Sequence, residues 1–255
     1  MKAFEARHYL LSAEVLWDRV ADRSAYPYAL PAIKNLGEID FHPKVTFIVG
    51  ENGSGKSTLI EALALAWGFN AEGGSKNFRF GTFDSHSPLC HSLRLGKSTR
   101  RAQDGFFLRA ESYFNVATNI DALDREPALG RRKIIESYGG KPLHNQSHGE
   151  SFLALLENRL GGQGLYMFDE PEAALSPTRQ MSMLVRMHEL VAAESQFIIA
   201  THSPILMAYP DAWIYQLGSK GPERVAYEDT EHFAITRNFL NRHEDIVRQL
   251  LDDGV

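Results

Sequence analysis

A run of eight residues at positions 50–57, Gly-Glu-Asn-Gly-Ser-Gly-Lys-Ser, constrains the fold of this chain more than any other feature. It fits the P-loop pattern, in which one glycine and then four residues of any kind are followed by Gly-Lys-Ser or Gly-Lys-Thr. The mostly apolar stretch 44–49 before it predicts a short buried strand, and the apolar periodicity of 58–67 predicts a helix. This order indicates a phosphate-binding site in an α/β domain, whereas an ordinary glycine turn before a helix is the alternative.

The P-loop supplies the groups that hold the phosphates of a nucleotide. Glycines let backbone N–H groups turn onto phosphate oxygens, and the start of the helix adds partial positive charge. Lys56 can reach the β- and γ-phosphates, and the Ser57 hydroxyl can bind Mg²⁺. We expect the nucleotide to contact Gly50, Asn52, Gly53, Ser54, Gly55, Lys56, Ser57 and Thr58.

Further polar side chains follow two other apolar stretches that we predict to be buried strands, 165–168 and 197–200. Open parallel sheets bind ligands at the carboxyl ends of their strands, which is where these side chains would lie. Asp169 would hold the Mg²⁺ shell through water, and Glu170 would orient or deprotonate the attacking water. His202 would hydrogen-bond the γ-phosphate and contact Glu170; a histidine at a strand end with no ligand is the alternative.

The segment Gln146-Ser147-His148-Gly149-Glu150 comes directly before a helix that we expect to start near residue 151. A serine and a glycine in this position, Ser147 and Gly149, predict a second anion site at the start of that helix. A plain helix cap after a turn is the alternative.

Taken in chain order, these motifs resemble those of the ATP-binding-cassette ATPases. The P-loop, 147–150, 169–172, 174–176 and His202 are similar to the Walker A, signature, Walker B, D-loop and H-loop motifs, over about residues 36–228. The resemblance implies one α/β domain over 1–255: a P-loop NTPase with a mostly parallel central sheet, antiparallel N-terminal strands and a small helical insert near 105–150.

The same resemblance implies an ATP hydrolase that uses Mg²⁺, with Ser57 and Asp169 at the metal and Lys56, Glu170 and His202 in catalysis. ATP would lie between two head-to-tail copies, so that Ser147 and Gly149 of one copy cap the γ-phosphate bound by the other. The chain would then be an ATP-dependent homodimer.

The subtype and two family positions stay open. Ser-His-Gly-Glu differs from the transporter signature Leu-Ser-Gly-Gly-Gln and is closer to the soluble branch of recombination-repair and chromosome-maintenance ATPases, including small stand-alone bacterial ATPases. A transporter subunit and a nucleotide-sensing scaffold without turnover are the alternatives. Gln103, Arg109 and Glu111 are all candidates for the Q-loop position, and Tyr26 and Tyr28 for stacking on adenine.

Composition adds limits on partners and compartment. The net charge of −5 gives no general affinity for polyanions, although short basic clusters occur at 97–101 and 131–133. Cys90 is the single cysteine, which suits a reducing compartment, and no apolar stretch is long enough to cross a bilayer. We therefore expect a soluble cytoplasmic protein, whose partner, DNA or another protein, rests on the family resemblance alone.

Overall fold

The computed structural model describes residues 8–71, 73–75, 87–110, 135–136, 140 and 148–252. In chain order, the strands of this part are β1 (Leu10–Val15), β2 (Glu38–Asp40), β3 (Val45–Val49), β4 (Leu93–Lys97), β5 (Asp104–Arg109), β6 (Gly164–Asp169), β7 (Gln196–Ala200), β8 (Trp213–Gly218) and β9 (Gly221–Val225). The helices are α1 (Pro31–Lys34), α2 (Lys56–Trp67), α3 (Leu89–Ser92), α4 (His148–Ala154), α5 (Pro177–Ala192), α6 (Pro204–Met207) and α7 (Glu231–Asp252).

The centre of the fold is a six-stranded sheet with the spatial order β5-β6-β7-β3-β8-β9. Its first five strands run parallel, and β9 returns antiparallel to β8 as a hairpin. Every residue of β3, β6 and β7 is buried, because helices cover both faces of the sheet. The predicted mostly parallel α/β sheet is therefore confirmed.

A separate three-stranded antiparallel sheet, ordered β2-β1-β4, lies beside the central sheet and confirms the predicted antiparallel N-terminal strands. The buried side chain of Gln196, the first residue of β7, connects the two sheets. Its Oε1 accepts hydrogen bonds from the N–H groups of Tyr9 and Leu10, at 3.0 and 2.9 Å. Its Nε2 donates to the carbonyls of Leu10 and His42, at 2.8 and 3.1 Å.

Two hydrophobic cores lie on opposite faces of the central sheet, as the alternation of side chains along a strand requires. In β6, Tyr166 and Phe168 pack into the core under α5, whereas Leu165 and Met167 pack into the core under α2. Helix α2 directly follows the P-loop, and its packed apolar face therefore holds the end of that loop against the sheet.

Most element boundaries fall within two residues of their predicted positions. Helix α2 begins at Lys56 rather than at residue 58, because the left-handed conformation of Gly55 (φ 98°) lets the chain turn directly into the helix. Helix α5 begins after Ser176, whose Oγ accepts a hydrogen bond from Arg179 N and so caps the helix before Pro177. Helix α4 begins at His148, three residues before the predicted start near residue 151, and continues as a π-helical turn over Leu155–Arg159.

The C-terminal helix α7 is interrupted by non-helical angles at Arg242. None of its residues is buried. Within the described segments, no helix has the length and apolar character needed to cross a bilayer. The predicted helical insert near 105–150 falls almost wholly outside the described residues and stays a prediction.

Candidate functional site

Three chain segments meet at one edge of the central sheet, where the carboxyl ends of its parallel strands lie. The P-loop follows β3, Asp169 is the last residue of β6, and His202 comes two residues after β7. Since β6 and β3 both pair with β7, these groups are neighbours in space although more than 100 residues separate the first from the last.

The P-loop has the backbone conformation that its glycines permit. Gly53 and Gly55 have φ angles of 78° and 98°, which strain any residue with a side chain. The Nζ of Lys56 is turned back along the loop and donates to the carbonyl of Glu51 at 3.0 Å. Lys56 is only 4% exposed, and burial lowers its pKa while the nearby carboxylates of Glu170 and Asp169 act against that shift. An ammonium buried in this way beside a glycine-rich loop fits the phosphate of a nucleotide, for which it could exchange the carbonyl of Glu51.

The two predicted metal ligands lie in direct contact. The Ser57 hydroxyl donates to Oδ1 of Asp169 at 3.0 Å, and Asp169 is buried. A hydroxyl and a carboxylate are hard oxygen donors of the kind that Mg²⁺ prefers when it takes its other ligands from phosphate and water. The donor set therefore fits the implied metal.

Glu170 has a strained backbone, with φ 49° and ψ 52° in the left-handed region. Its N–H donates to the carbonyl of Ala200 at 2.9 Å, which holds the strained residue against the end of β7. Its Oε1 lies 3.3 Å from Nε2 of His202. Backbone strain of this kind is concentrated at functional sites, and here it aims the carboxylate at the histidine.

Glu172 is a site residue that the sequence motif contains but whose role its pattern did not reveal. Its Oε1 accepts from the backbone N–H of His202 at 2.5 Å. Burial raises the pKa of this carboxyl, and its hydrogen bonds to His202 and Thr201 oppose the rise. Glu172 therefore fixes the loop that carries His202 relative to the β6 end.

His232, in the first turn of α7, contacts the site although it was not predicted as a site residue. Its Nε2 lies 2.8 Å from Nδ1 of His202, and the two ring centroids are 4.9 Å apart. Burial, then the charge of Lys56, lowers the pKa of both rings. The two residues are 30 positions apart, and no motif joins them, so only the packing of α7 brings this contact about.

The strand register separates the three candidates for the Q-loop position. Gln103 comes before β5, at the sheet edge opposite the P-loop, and does not reach the site. Arg109 ends β5, in register with Asp169; its Nη1 donates to Glu61 at 2.8 Å and its Nε lies 3.9 Å from Asp169 Oδ2. Glu111 lies outside the described residues.

The two tyrosine candidates for stacking on adenine differ in their exposure and position. Tyr28 is 7% exposed and its hydroxyl contacts Ser92, so it belongs to the core. Tyr26 is 64% exposed, and its hydroxyl lies 2.9 Å from Thr58 Oγ1. It lines a cleft of about 170 Å³ with the P-loop and Glu170.

The predicted signature segment is only partly described. Ser147 lies outside the described residues, as do 141–146. Gly149 lies in the first turn of α4, where a Cβ would lie 3.0 Å from the carbonyl oxygen of Ala174 and would displace the end of the Arg179 side chain. Through Gly149, the predicted signature segment therefore contacts Ala174, the first residue of the predicted D-loop motif.

Comparisons with known proteins agree with this geometry. Residues 32–121 match a family described as "AAA domain", and residues 151–208 match one described as "AAA domain, putative AbiEii toxin, Type IV TA system". A search of curated proteins gave no match.

Solved structures that resemble the chain include a metal-chelate type ABC transporter in an inward-facing conformation. It is 15% identical, with a TM-score of 0.50 over 90% of this chain and 88% of that one. An ATP-binding cassette of an ABC transporter in its ADP conformation is 18% identical, with a TM-score of 0.48 over 84% and 89%. The SMC head domain from Thermotoga maritima is 17% identical, with a TM-score of 0.44 over 85% and 98%.

The two family matches cover the P-loop with β5 and the segment from α4 to α6, and the transporter match covers the fold as a whole. The two matches to AAA domains, the fold shared with the transporter structure and the motifs gathered at one sheet edge give the chain the fold of a P-loop ATPase domain.

Proposed function

We propose that this chain binds ATP with Mg²⁺ at the edge formed by β3, β6 and β7, and hydrolyses it as a soluble switch between two copies of itself. One observation supports the proposal most directly. Lys56, Ser57 and Glu170 come from distant segments and line one cleft. Asp169 contacts Ser57 and His202 contacts Glu170 beside it.

In the proposed ground state the P-loop holds the triphosphate. Lys56 exchanges its bond to the Glu51 carbonyl for the β- and γ-phosphates, and Gly50, Asn52, Gly53, Ser54, Gly55 and Thr58 surround the phosphates. Ser57 and Asp169 would hold Mg²⁺, which supplies positive charge against the phosphate oxygens. Tyr26, exposed at the mouth of this cleft, would stack on the base.

Hydrolysis needs an oriented water and a stabilised γ-phosphate. Glu170, held by its own backbone at the end of β6, would orient or deprotonate the water. His202 would contact the γ-phosphate through Nε2, which lies 3.3 Å from Glu170 Oε1. The proton taken from water would pass to Glu170 as the phosphate is cleaved from ADP.

We extend the proposal to a composite site in which Ser147 and Gly149 of a second copy cap the γ-phosphate. ATP would then contribute to the dimer interface, and its hydrolysis would shift the population towards separate copies. The segment Ser-His-Gly-Glu at 147–150 departs from the transporter signature and so favours a soluble switch over a transporter subunit. We propose a cytoplasmic protein that acts on DNA or a protein partner.

Phosphate release from Mg-ATP by the purified chain tests the enzyme. Glu170→Gln should lower the rate by about 10²–10⁴ while ATP still binds, because a general base is lost and the P-loop is intact. Glu223→Gln, an exposed change on β9, is the matched control. Full ATP binding without turnover in the wild-type chain would instead favour a nucleotide-sensing scaffold.

Light scattering of Glu170→Gln with saturating Mg-ATP tests the dimer, which should accumulate because the nucleotide is not consumed. A monomer under these conditions contradicts the composite site. Stimulation of phosphate release by DNA that weakens with salt would identify a nucleic-acid partner, and co-purification with a membrane permease would support the transporter alternative.

A further inference from the structure

The pair formed by His202 and His232 defines a choice between two hydrogen-bond arrangements. The 2.8 Å separation of Nδ1 of His202 and Nε2 of His232 is a hydrogen-bond distance, and one proton lies between the two nitrogens. Burial and the neighbouring Lys56 favour the uncharged form of both rings, so each ring carries one N–H. Either His202 donates to His232, or His232 donates to His202.

Glu170 decides between the two arrangements. Its Oε1 lies 3.3 Å from the other nitrogen of His202, Nε2. If His202 donated through Nδ1, its unprotonated Nε2 would face a carboxylate oxygen, and two acceptors would repel each other. If His232 donates through Nε2, the proton of His202 lies on Nε2 and faces Glu170.

The other ring nitrogen of His232, Nδ1, also favours the arrangement in which His232 donates to His202. This nitrogen is buried, and in the described part of the chain no group hydrogen-bonds it. In the first arrangement this atom would be a buried N–H without an acceptor, whereas in the second it is an unprotonated nitrogen. Buried donors without partners are rarer in proteins than buried acceptors without partners.

We propose that His232 is a positioning residue, which donates its Nε2–H to Nδ1 of His202 and so fixes His202 in the tautomer that presents an Nε2–H to Glu170 and to the γ-phosphate. The catalytic part of this inference rests on the proposed ATP hydrolysis; the tautomer itself does not. Nε2 of His202 is buried and lies 3.3 Å from Glu170 Oε1, but in the described residues this contact lacks the alignment of a full hydrogen bond, so the Nε2–H can turn to a phosphate oxygen.

The arrangement also connects α7 to the reaction. His232 and its helix neighbours Ile235 and Thr236 line a cleft of about 420 Å³ together with Glu51 and Asn52 of the P-loop. A shift of α7 that breaks the histidine contact would release His202 to the other tautomer without moving the P-loop. The helix is therefore a part of the chain through which the orientation of His202 is controlled.

Nitrogen-15 NMR of histidine side chains tests the tautomer without reference to activity. In the wild-type chain without nucleotide, His202 should be protonated on Nε2 and His232 should be protonated on Nε2, each with an unprotonated Nδ1. His232→Leu, which has no donor, removes one of the two contacts that favour this tautomer and leaves that of Glu170, so the fraction of His202 protonated on Nδ1 should rise. Protonation of His202 on Nδ1 in the wild-type chain overturns the inference, whether or not any variant folds.

Steady-state kinetics test the consequence. His232→Leu should lower kcat for ATP about 10- to 100-fold with KM within about threefold, a loss typical when the partner that orients a site residue is removed. His232→Gln, whose amide N–H can replace the donor, should keep kcat within a fewfold of wild type. His243→Leu, on an exposed position of the same helix, is the control and should leave both constants unchanged.

The outcomes separate the two proposals. Equal kcat for His232→Leu and wild type, or equal losses in the Leu and Gln variants with an unchanged His202 tautomer, contradict the positioning role. Absence of ATP turnover in the wild-type chain contradicts the proposed hydrolysis, and the NMR measurement then still decides the tautomer.

Discussion

The amide of Gln196 offers the sharpest test of how the two sheets are joined. The side chain is fully buried and makes four hydrogen bonds to the backbone of 9–10 and 42. Gln196→Leu keeps nearly the same volume but removes every one of these bonds. The N–H groups of Tyr9 and Leu10 then lose their acceptor inside the protein, and the carbonyls of Leu10 and His42 lose a donor.

The expected loss follows from those unpaired groups. A buried polar group left without a partner costs about 1–3 kcal/mol, so the two N–H groups alone should lower the free energy of unfolding by about 2–6 kcal/mol. Domains of ordinary stability have about 5–15 kcal/mol in total, so the loss is a large fraction of it. Urea unfolding followed by circular dichroism should show a lower midpoint with an unchanged slope.

Two further variants control this measurement. Gln249→Leu makes the same substitution at an exposed position on α7 and should change stability by no more than about 0.5 kcal/mol. Gln196→Glu keeps the acceptor but places a carboxyl oxygen near two carbonyls, which raises its folded pKa. Its deficit should therefore shrink as the pH falls and the carboxyl is protonated. A Gln196→Leu midpoint equal to wild type would refute the reasoning.

Two other predictions concern the nucleotide and acid stability. If Tyr26 stacks on the base, Tyr26→Ala should weaken ATP binding by about 1–3 kcal/mol in calorimetry, and Tyr26→Phe should bind ATP nearly as wild type does. Binding of tripolyphosphate, which has no base, should be unchanged in both variants. Burial by itself raises the pKa of Asp104, but the charge of Arg159 and the N–H of Gly161 outweigh it and hold that pKa below its ordinary value. A carboxyl whose pKa is lower in the folded than in the unfolded state stabilises the fold at pH values above its unfolded pKa of about 3.9. This stabilisation is lost as the pH falls through the pKa of the folded state. Asp104→Asn should thus unfold more easily in urea at neutral pH, and the difference should narrow in acid.

The site could be predicted best where a motif lies at or after the end of an apolar strand. The P-loop follows one such strand, Asp169 ends a second and His202 follows a third by two residues, and parallel pairing brings the carboxyl ends of those strands to one edge. Local pattern and topology therefore point to the same place, and the meeting of these groups could be predicted without coordinates.

The residues that could not be predicted depend on packing between distant elements. His232 reaches His202 only because α7 lies against the site, and Gln196 falls just before the predicted strand 197–200, where no pattern marks its side chain as a link between the sheets. The Q-loop candidates needed the register of β5 on β6, which sets Arg109 against Asp169 and leaves Gln103 at the far edge. Neither helix docking nor strand register can be obtained from periodicity in one sequence.

The order of strands in the central sheet has a consequence for how the chain holds together. Strand β3 lies between β7 and β8, so its hydrogen bonds on both sides come from residues after position 195. The N-terminal portion, 8–110, thus contributes an inner strand whose neighbours both belong to 148–252. A peptide bond cut between positions 110 and 148 would leave two interleaved fragments, each of which completes the other's sheet, and they would separate only by unfolding.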